Sequence, residues 1–235
     1  VTLIISRPTG GNLVISSASI VTSGLVRNFD AAQTASYPGS GTTWTDLTGS
    51  GTSMTLTNGP TYDSANSGSI LFDGTNDWAR TTSNGLGTGN IAHSLEMWVN
   101  FTTITPASRW WLAVIGTYES VGQLHWIGTS ATSTGFGVWS GSQVSPNLLG
   151  ANQWLHIVTT FNGTLLSSYV NSVAGPTINA GFGISSSTFT IGLPTNQAAE
   201  NYYSGKVSIA RIYNRALSAA EVSQNFNALR YRYGI

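Results

Sequence analysis

The sequence predicts an all-β protein, an antiparallel sandwich closed by one short C-terminal helix. Three observations predict it. Short apolar runs recur along the chain, punctuated by Gly, Asn and Pro. In residues 94–101, Leu95, Met97, Val99 and Phe101 alternate with Ser94, Glu96, Trp98 and Asn100. That period of two belongs to a strand with two distinct faces. Only one segment, beginning at Ser218, carries helix signals.

The elements follow in order. Leu3-Ile4-Ile5 and Leu13-Val14-Ile15 are short β-type runs around the turn Pro8-Thr9-Gly10-Gly11. Two such runs cannot make a core by themselves. Residues 1–23 are therefore expected to be an extended arm that adds strands to a neighbouring sheet or lies on another molecule. Residues 24–235 form the domain proper. Within it, 25–29, 69–72, 94–101, 111–115, 123–127, 136–139, 154–161, 167–170, 189–192 and 206–213 read as strands. Trp98 and Trp154 are expected to fill the layer between the sheets. Asp73-Gly74 and Asn162-Gly163 read as hairpin turns. Ser218-Ala219-Ala220-Glu221 is a capping box, and Val222, Phe226 and Leu229 follow at helical spacing on one apolar face ending near Arg230.

Composition excludes several functions. The chain has 235 residues, with 9 Lys+Arg against 9 Asp+Glu. Charged residues make up 8% of it, against roughly 25% in an ordinary soluble domain. Lys206 is the only lysine, so no basic groove for nucleic acid is expected. Absence of cysteine removes disulfides, Cys-ligated zinc and thiol nucleophiles. No apolar run is long enough to insert in a membrane, and 1–8 does not read as a signal peptide.

Several phrases, in order, carry a resemblance. They are Gly24-Leu25-Val26 to Asp30-Ala31 with Trp44-Thr45-Asp46-Leu47, and Leu71-Phe72-Asp73-Gly74-Thr75-Asn76-Asp77-Trp78. Then come Ser94-Leu95-Glu96-Met97-Trp98, Trp154-Leu155-His156-Ile157-Val158, and Gly205-Lys206-Val207 with Arg211-Ile212-Tyr213-Asn214-Arg215. Over about 24–230 the chain resembles the laminin G-like branch of the concanavalin A-like lectin/glucanase superfamily. The resemblance implies a two-sheet antiparallel jelly-roll sandwich with the capped helix after the last strand. Both ends, through Tyr62-Asp63-Ser64 and from Gln224 to Ile235, resemble the version found in tailed-phage virion proteins.

Chemistry is sparse. Laminarinase-type members of this superfamily place three acids at alternate positions of one strand, and glycosidases in general need a carboxylate pair. Here the corresponding strand has only Glu96, with Trp98 and Asn100 where further acids would stand. Glu119 and Glu200 lie far away in sequence, and the helix cap accounts for Glu221. The chain is therefore read as no enzyme. His93, His125 and His156 show no metal-ligand spacing, and His156 reads as structural. No cofactor is expected. Calcium is the candidate metal, since Asp73, Asn76 and Asp77 supply hard oxygens from one turn. The competing and favoured reading is that these residues cap local backbone amides. The final strand reads Ser208-Ile209 where the family commonly has Asp-Glu, which argues further against calcium.

Sugar binding needs aromatic platforms. Trp110, Trp126, Trp139 and Tyr118 are the candidates, with His125 and Asn147 beside them; the competing reading makes them core or interface anchors. Leu3, Ile5, Leu13 and Ile15 are the candidate partner-docking residues of the arm. The resulting expectation is a non-catalytic virion structural protein of a bacteriophage, a capsid decoration displaying a lectin-like domain. Its partners would be capsid proteins or a sister copy. The alternative is a carbohydrate-binding or receptor-binding module of a tail or secreted protein, reading cell-surface glycans. Location follows: virion, or extracellular.

Overall fold

The computed structural model describes residues 3–6, 14–17, 19–102, 111–116, 124–130, 133–138, 143–144, 150–181, 183–193 and 202–235. In chain order the strands begin with β1 (Leu3–Ser6), β2 (Val14–Ser17), β3 (Leu25–Asp30), β4 (Thr43–Thr45), β5 (Ser53–Thr57) and β6 (Thr61–Asp63). Next are β7 (Ser69–Asp73), β8 (Trp78–Thr81), β9 (His93–Phe101), β10 (Trp111–Gly116), β11 (Leu124–Ser130) and β12 (Ser133–Val138). The last are β13 (Gln143–Val144), β14 (Trp154–Phe161), β15 (Leu165–Val170), β16 (Val173–Asn179), β17 (Phe189–Ile191) and β18 (Ser204–Tyr213). Helix α1 (Ala219–Leu229) and a 3-10 turn (Arg230–Tyr233) follow.

Two antiparallel sheets stack face to face. The first runs β16-β15-β14-β9-β18-β7-β6, with β3 on the C-terminal half of β18. The second runs β13-β12-β11-β10-β17-β8-β5-β4. The expected sandwich is present, with strands at 43–45, 53–57, 61–63, 78–81, 143–144 and 173–179 in addition to those the sequence marks. These are short or polar, and their apolar alternation is too brief to read along the chain. Leu95, Met97, Val99 and Phe101 point into the inter-sheet core, beside Trp44, Met54, Phe72, Phe189 and Ile191.

The opposite face of β9 is also buried, which corrects the placement of two tryptophans. Trp98 and Trp154 do not fill the inter-sheet layer. They form a second cluster with Ile209 and Tyr233, packed against Phe226 and Leu229 on the outer side of the first sheet. Trp98 stacks on Tyr233 at 4.1 Å between ring centroids. The helix brings its apolar stripe down onto that side, so β9 is buried on both faces for two different reasons. The capping box is formed: Ser218 Oγ accepts from the Glu221 amide, and the Ser218 amide donates to Glu221 Oε2.

Two turns behave differently. Asn162-Gly163 closes the β14–β15 hairpin as expected, with Gly163 at φ 104. Asp73-Gly74 is not a hairpin turn. It carries the chain from β7 in the first sheet to β8 in the second, with Gly74 at φ 78. Local residues specify a sharp turn but not which sheet receives the next strand.

The arm forms a hairpin of its own. β1 and β2 pair with each other as a separate two-stranded sheet and join neither large one. Their register pairs Leu3 with Ser17 and Ile5 with Ile15. Leu13 lies outside the described residues.

Candidate functional site

The two outer faces of the sandwich have opposite character. On the first sheet, α1 covers a buried polar cluster centred on Glu96. Arg211 stands directly across from Glu96 in the β9–β18 register. It reaches that position because β18 bulges between Val207 and Ile209, which inverts the alternation of every later residue. Val207, Ala210 and Ile212 thus point into the core, while Ile209, Arg211 and Tyr213 point out under the helix.

Glu96 Oε1 accepts from His156 Nε2 at 3.0 Å and Arg211 Nη1 at 3.2 Å. Oε2 accepts from Tyr213 Oη at 3.1 Å and Asn225 Nδ2 at 2.7 Å. Two donors on each oxygen fill a carboxylate's hydrogen-bonding capacity. Burial opposes ionisation here, but Arg211 and the hydrogen bonds from His156 and Tyr213 override it and hold the acid down at about 2. Glu96 has zero exposure. It is a charge locked into structure, with no access to a substrate. The expectation that His156 is structural agrees with this geometry.

The outer face of the second sheet has no covering helix among the described residues. Trp44, Met54, Leu56, Ala79, Phe189 and Ile191 point inward. Their neighbours Thr43, Thr45, Ser53, Thr55, Thr57, Trp78 and Arg80 therefore face out, all partly or fully exposed. Thr57 pairs with Trp78 and Thr55 with Arg80. The Arg80 guanidinium lies over the Trp78 ring, 4.5 Å from its centroid, and Nε donates to Thr190 Oγ1 at 3.1 Å. The register continues from Arg80 through Thr190 and Val114 to Trp126. With neighbouring strands about 4.8 Å apart, this row spans about 14 Å. Thr190 and Val114 are fully buried in this row, so the open part of the face lies on β4, β5 and β8, where it is hydroxyl-rich and carries Trp78 and Arg80.

Of the aromatic candidates, Trp126 stands in that row by backbone register, and its side chain lies outside the described residues. Trp110, Tyr118 and Trp139 also lie outside them. Sequence reasoning missed Trp78 and Arg80 as site residues. The available signal was Trp78-Ala79-Arg80, two large polar-tipped residues around a small one in a short strand.

The calcium candidates lie together in the β7–β8 connection. Asp73 Oδ1 accepts from the amides of Thr75 (2.7 Å) and Asn76 (3.3 Å), and Asp77 Oδ2 accepts from the Asp73 amide at 3.0 Å. The Thr75 amide leads the effects that lower the Asp73 pKa, whereas burial, then the Asp73 charge, raises that of Asp77. Among the described residues no group of three His, Asp or Glu side chains is arranged to hold a metal. The other described carboxylates are also occupied. Asp30 pairs with Arg232, Asp46 with Arg27, Asp63 with Lys206, and Glu221 with Arg215. Ser208, where the family has an acid, accepts from Arg232 and donates to the Gly68 carbonyl.

Comparison with known proteins agrees with this architecture. The fourth domain of an extracellular arabinanase from Geobacillus stearothermophilus, solved with arabinotriose, matches with a TM-score of 0.65 at 16% identity, over 86% of this chain and 98% of that one. The binding domain of Paraclostridial Mosquitocidal Protein 1 matches at 0.66 and 17% identity, over 87% of this chain and 52% of that one. Trypanosoma rangeli sialidase with sialic acid matches at 0.66 and 16% identity, over 100% of this chain and 37% of that one. The chain thus spans about half of the second protein and about a third of the third. At these identities the likeness concerns the fold. No curated protein matches the sequence. A laminin G-type family model, described as the concanavalin A-like lectin/glucanases superfamily, matches residues 73–223. This chain belongs to the concanavalin A-like lectin/glucanases superfamily.

Proposed function

We propose that the chain is a non-catalytic, lectin-type module that binds saccharide on the outer face of its second sheet. The contrast between the two outer faces carries this reading. One is covered by a helix, with its central acid, Glu96, saturated by donors. The other presents Trp78, Arg80 and a field of Ser and Thr hydroxyls. An indole offers a flat apolar surface to the C–H face of a pyranose, and hydroxyls exchange hydrogen bonds with those of the sugar. The arabinanase domain solved with arabinotriose has the same fold, which accords with a sugar ligand. The test is a glycan array probed with the full chain and with Trp78→Ala. Binding that disappears in the variant supports the reading. Silence of the folded wild type across a broad array rejects it.

A second reading concerns where the module works. The self-paired hairpin β1–β2, which carries Leu3, Ile5 and Ile15 and joins neither large sheet, is suited to seating against another protein. With the phage-like look of both chain ends, this favours a capsid decoration protein anchored by residues 1–23. Deleting residues 1–17, which spares the Val21 contacts to Asn225 and Tyr213, should leave a folded domain that no longer attaches to particles. Undiminished attachment would reject that anchoring.

A further inference from the structure

We infer that the face built on Trp78 and Arg80 selects acidic saccharides, with Arg80 binding a carboxylate on the sugar. This rests on the proposed saccharide-binding role and names its ligand class.

The argument begins with unspent charge. Among the described arginines, Arg27, Arg211, Arg215 and Arg232 each have a carboxylate partner. Arg80 and Arg230 have none among the described residues; Arg230 bonds the Tyr231 hydroxyl, whereas Arg80 is partly buried on the face that carries Trp78. Burial lowers its pKa, a desolvation cost that no carboxylate among the described residues offsets. The guanidinium is nevertheless held in place. Nε is bound to Thr190 Oγ1 at 3.1 Å, and the Trp78 ring supports the group from one side. This leaves Nη1 and Nη2 without a hydrogen-bond acceptor among the described residues. Two parallel N–H groups on a fixed plane match a carboxylate in bidentate geometry.

The neighbours fit the same ligand. The cross-strand partners of Arg80 are Thr55 and Thr190, and that of Trp78 is Thr57. No acid stands at an outward position of β4, β5, β8 or β17, so an incoming anion meets hydroxyls and one cation. A neutral sugar would use the hydroxyls and the indole but would leave the fork unpaired. A uronate or another carboxylate-bearing sugar uses all three.

The experiment titrates the full chain with a panel of uronate oligomers, the same oligomers as methyl esters, neutral oligosaccharides and a sulfated polysaccharide. Methyl esterification removes the charge and keeps the ring. The free acids are expected to bind about 10- to 100-fold more tightly than their esters, the range of a charged hydrogen-bonded contact. In Arg80→Gln that ratio should fall towards one, and Arg80→Lys should retain part of it. Melting curves confirm that each variant is folded. Equal affinity for acid and ester, or binding of neutral sugars alone, overturns the inference and leaves the saccharide reading standing. A preference that survives in Arg80→Gln overturns the role of Arg80. Preference for the sulfated polymer over every uronate replaces the carboxylate with a sulfate ester. Failure of all saccharides rejects the underlying reading as well.

Discussion

Asn225 of the C-terminal helix donates a 2.7 Å hydrogen bond from Nδ2 to Oε2 of Glu96 in the middle of β9, across 129 residues of chain. Asn225 Oδ1 also accepts from the Val21 amide at 2.7 Å. One side chain therefore ties the helix, the start of the domain and the central strand together. Glu96→Gln would leave Arg211 buried without its counter-charge. Loss of one partner of a buried pair costs about 3–5 kcal/mol. Denaturant unfolding should report a loss of that size, and saccharide affinity should stay the same. A loss below about 1 kcal/mol would show that the cluster does not hold the helix down.

Acid should destabilise the fold in two stages. Burial pushes the His93 imidazole from 6.5 down to about 4. The unfolded chain therefore takes up this proton first, and stability falls as pH drops from 6.5 towards 4. Glu96, at about 2 in the fold against 4.5 unfolded, has the same sign over a lower window. Its contribution is complete above 4.5 and is lost as pH falls towards 2. Melting temperature against pH should thus decline from about 6.5, and His93→Gln should flatten the upper part of that decline. A melting temperature independent of pH between 6.5 and 4 would contradict the buried neutral histidine.

Trp78→Ala should abolish saccharide binding at little cost to the fold. Trp78 is partly exposed on the outer face and does not belong to the inter-sheet core. Calorimetric titration with a ligand found on the array, next to a melting curve, separates the two effects. A variant that melts like the wild type and still binds would move the site elsewhere.

The helix cap is a local device and should behave as one. Ser218→Ala removes the acceptor for the Glu221 amide and should cost about 1 kcal/mol. Adding Arg215→Ala, which removes the Glu221 ion pair, should deepen the loss by less than simple addition, because both mutations act on one carboxylate. Thermal melts of the two single variants and the double variant measure this.

Calcium should not bind tightly in the β7–β8 turn, whose carboxylates are engaged with backbone amides. Melting temperature is expected to be the same in millimolar calcium and in chelator. A rise that saturates with calcium and disappears in Asp73→Asn would establish a calcium site there.

Much of the architecture was legible because its cause is local. The alternation of residues 94–101, the box at Ser218-Glu221 and the turn at Asn162-Gly163 each follow from backbone geometry acting over a few residues, and all three are present. The candidate site was much less legible. Its residues come from β5, β8 and β17, which meet only after the sheet forms. Thr55, Arg80 and Thr190 share one cross-strand row although they are scattered along the chain.

The sequence by itself determined the sandwich, the capped helix and the absence of an acid series beside Glu96, because side-chain period, capping chemistry and residue identity are properties of neighbours in the chain. Tertiary structure alone decided which buried face each residue serves. It put Trp98 beneath the helix, turned Arg211 towards Glu96 through a bulge in β18, and left Arg80 without a carboxylate partner among the described residues. Alternation assigns a residue to one of two sides, but what covers each side depends on segments far away in the chain.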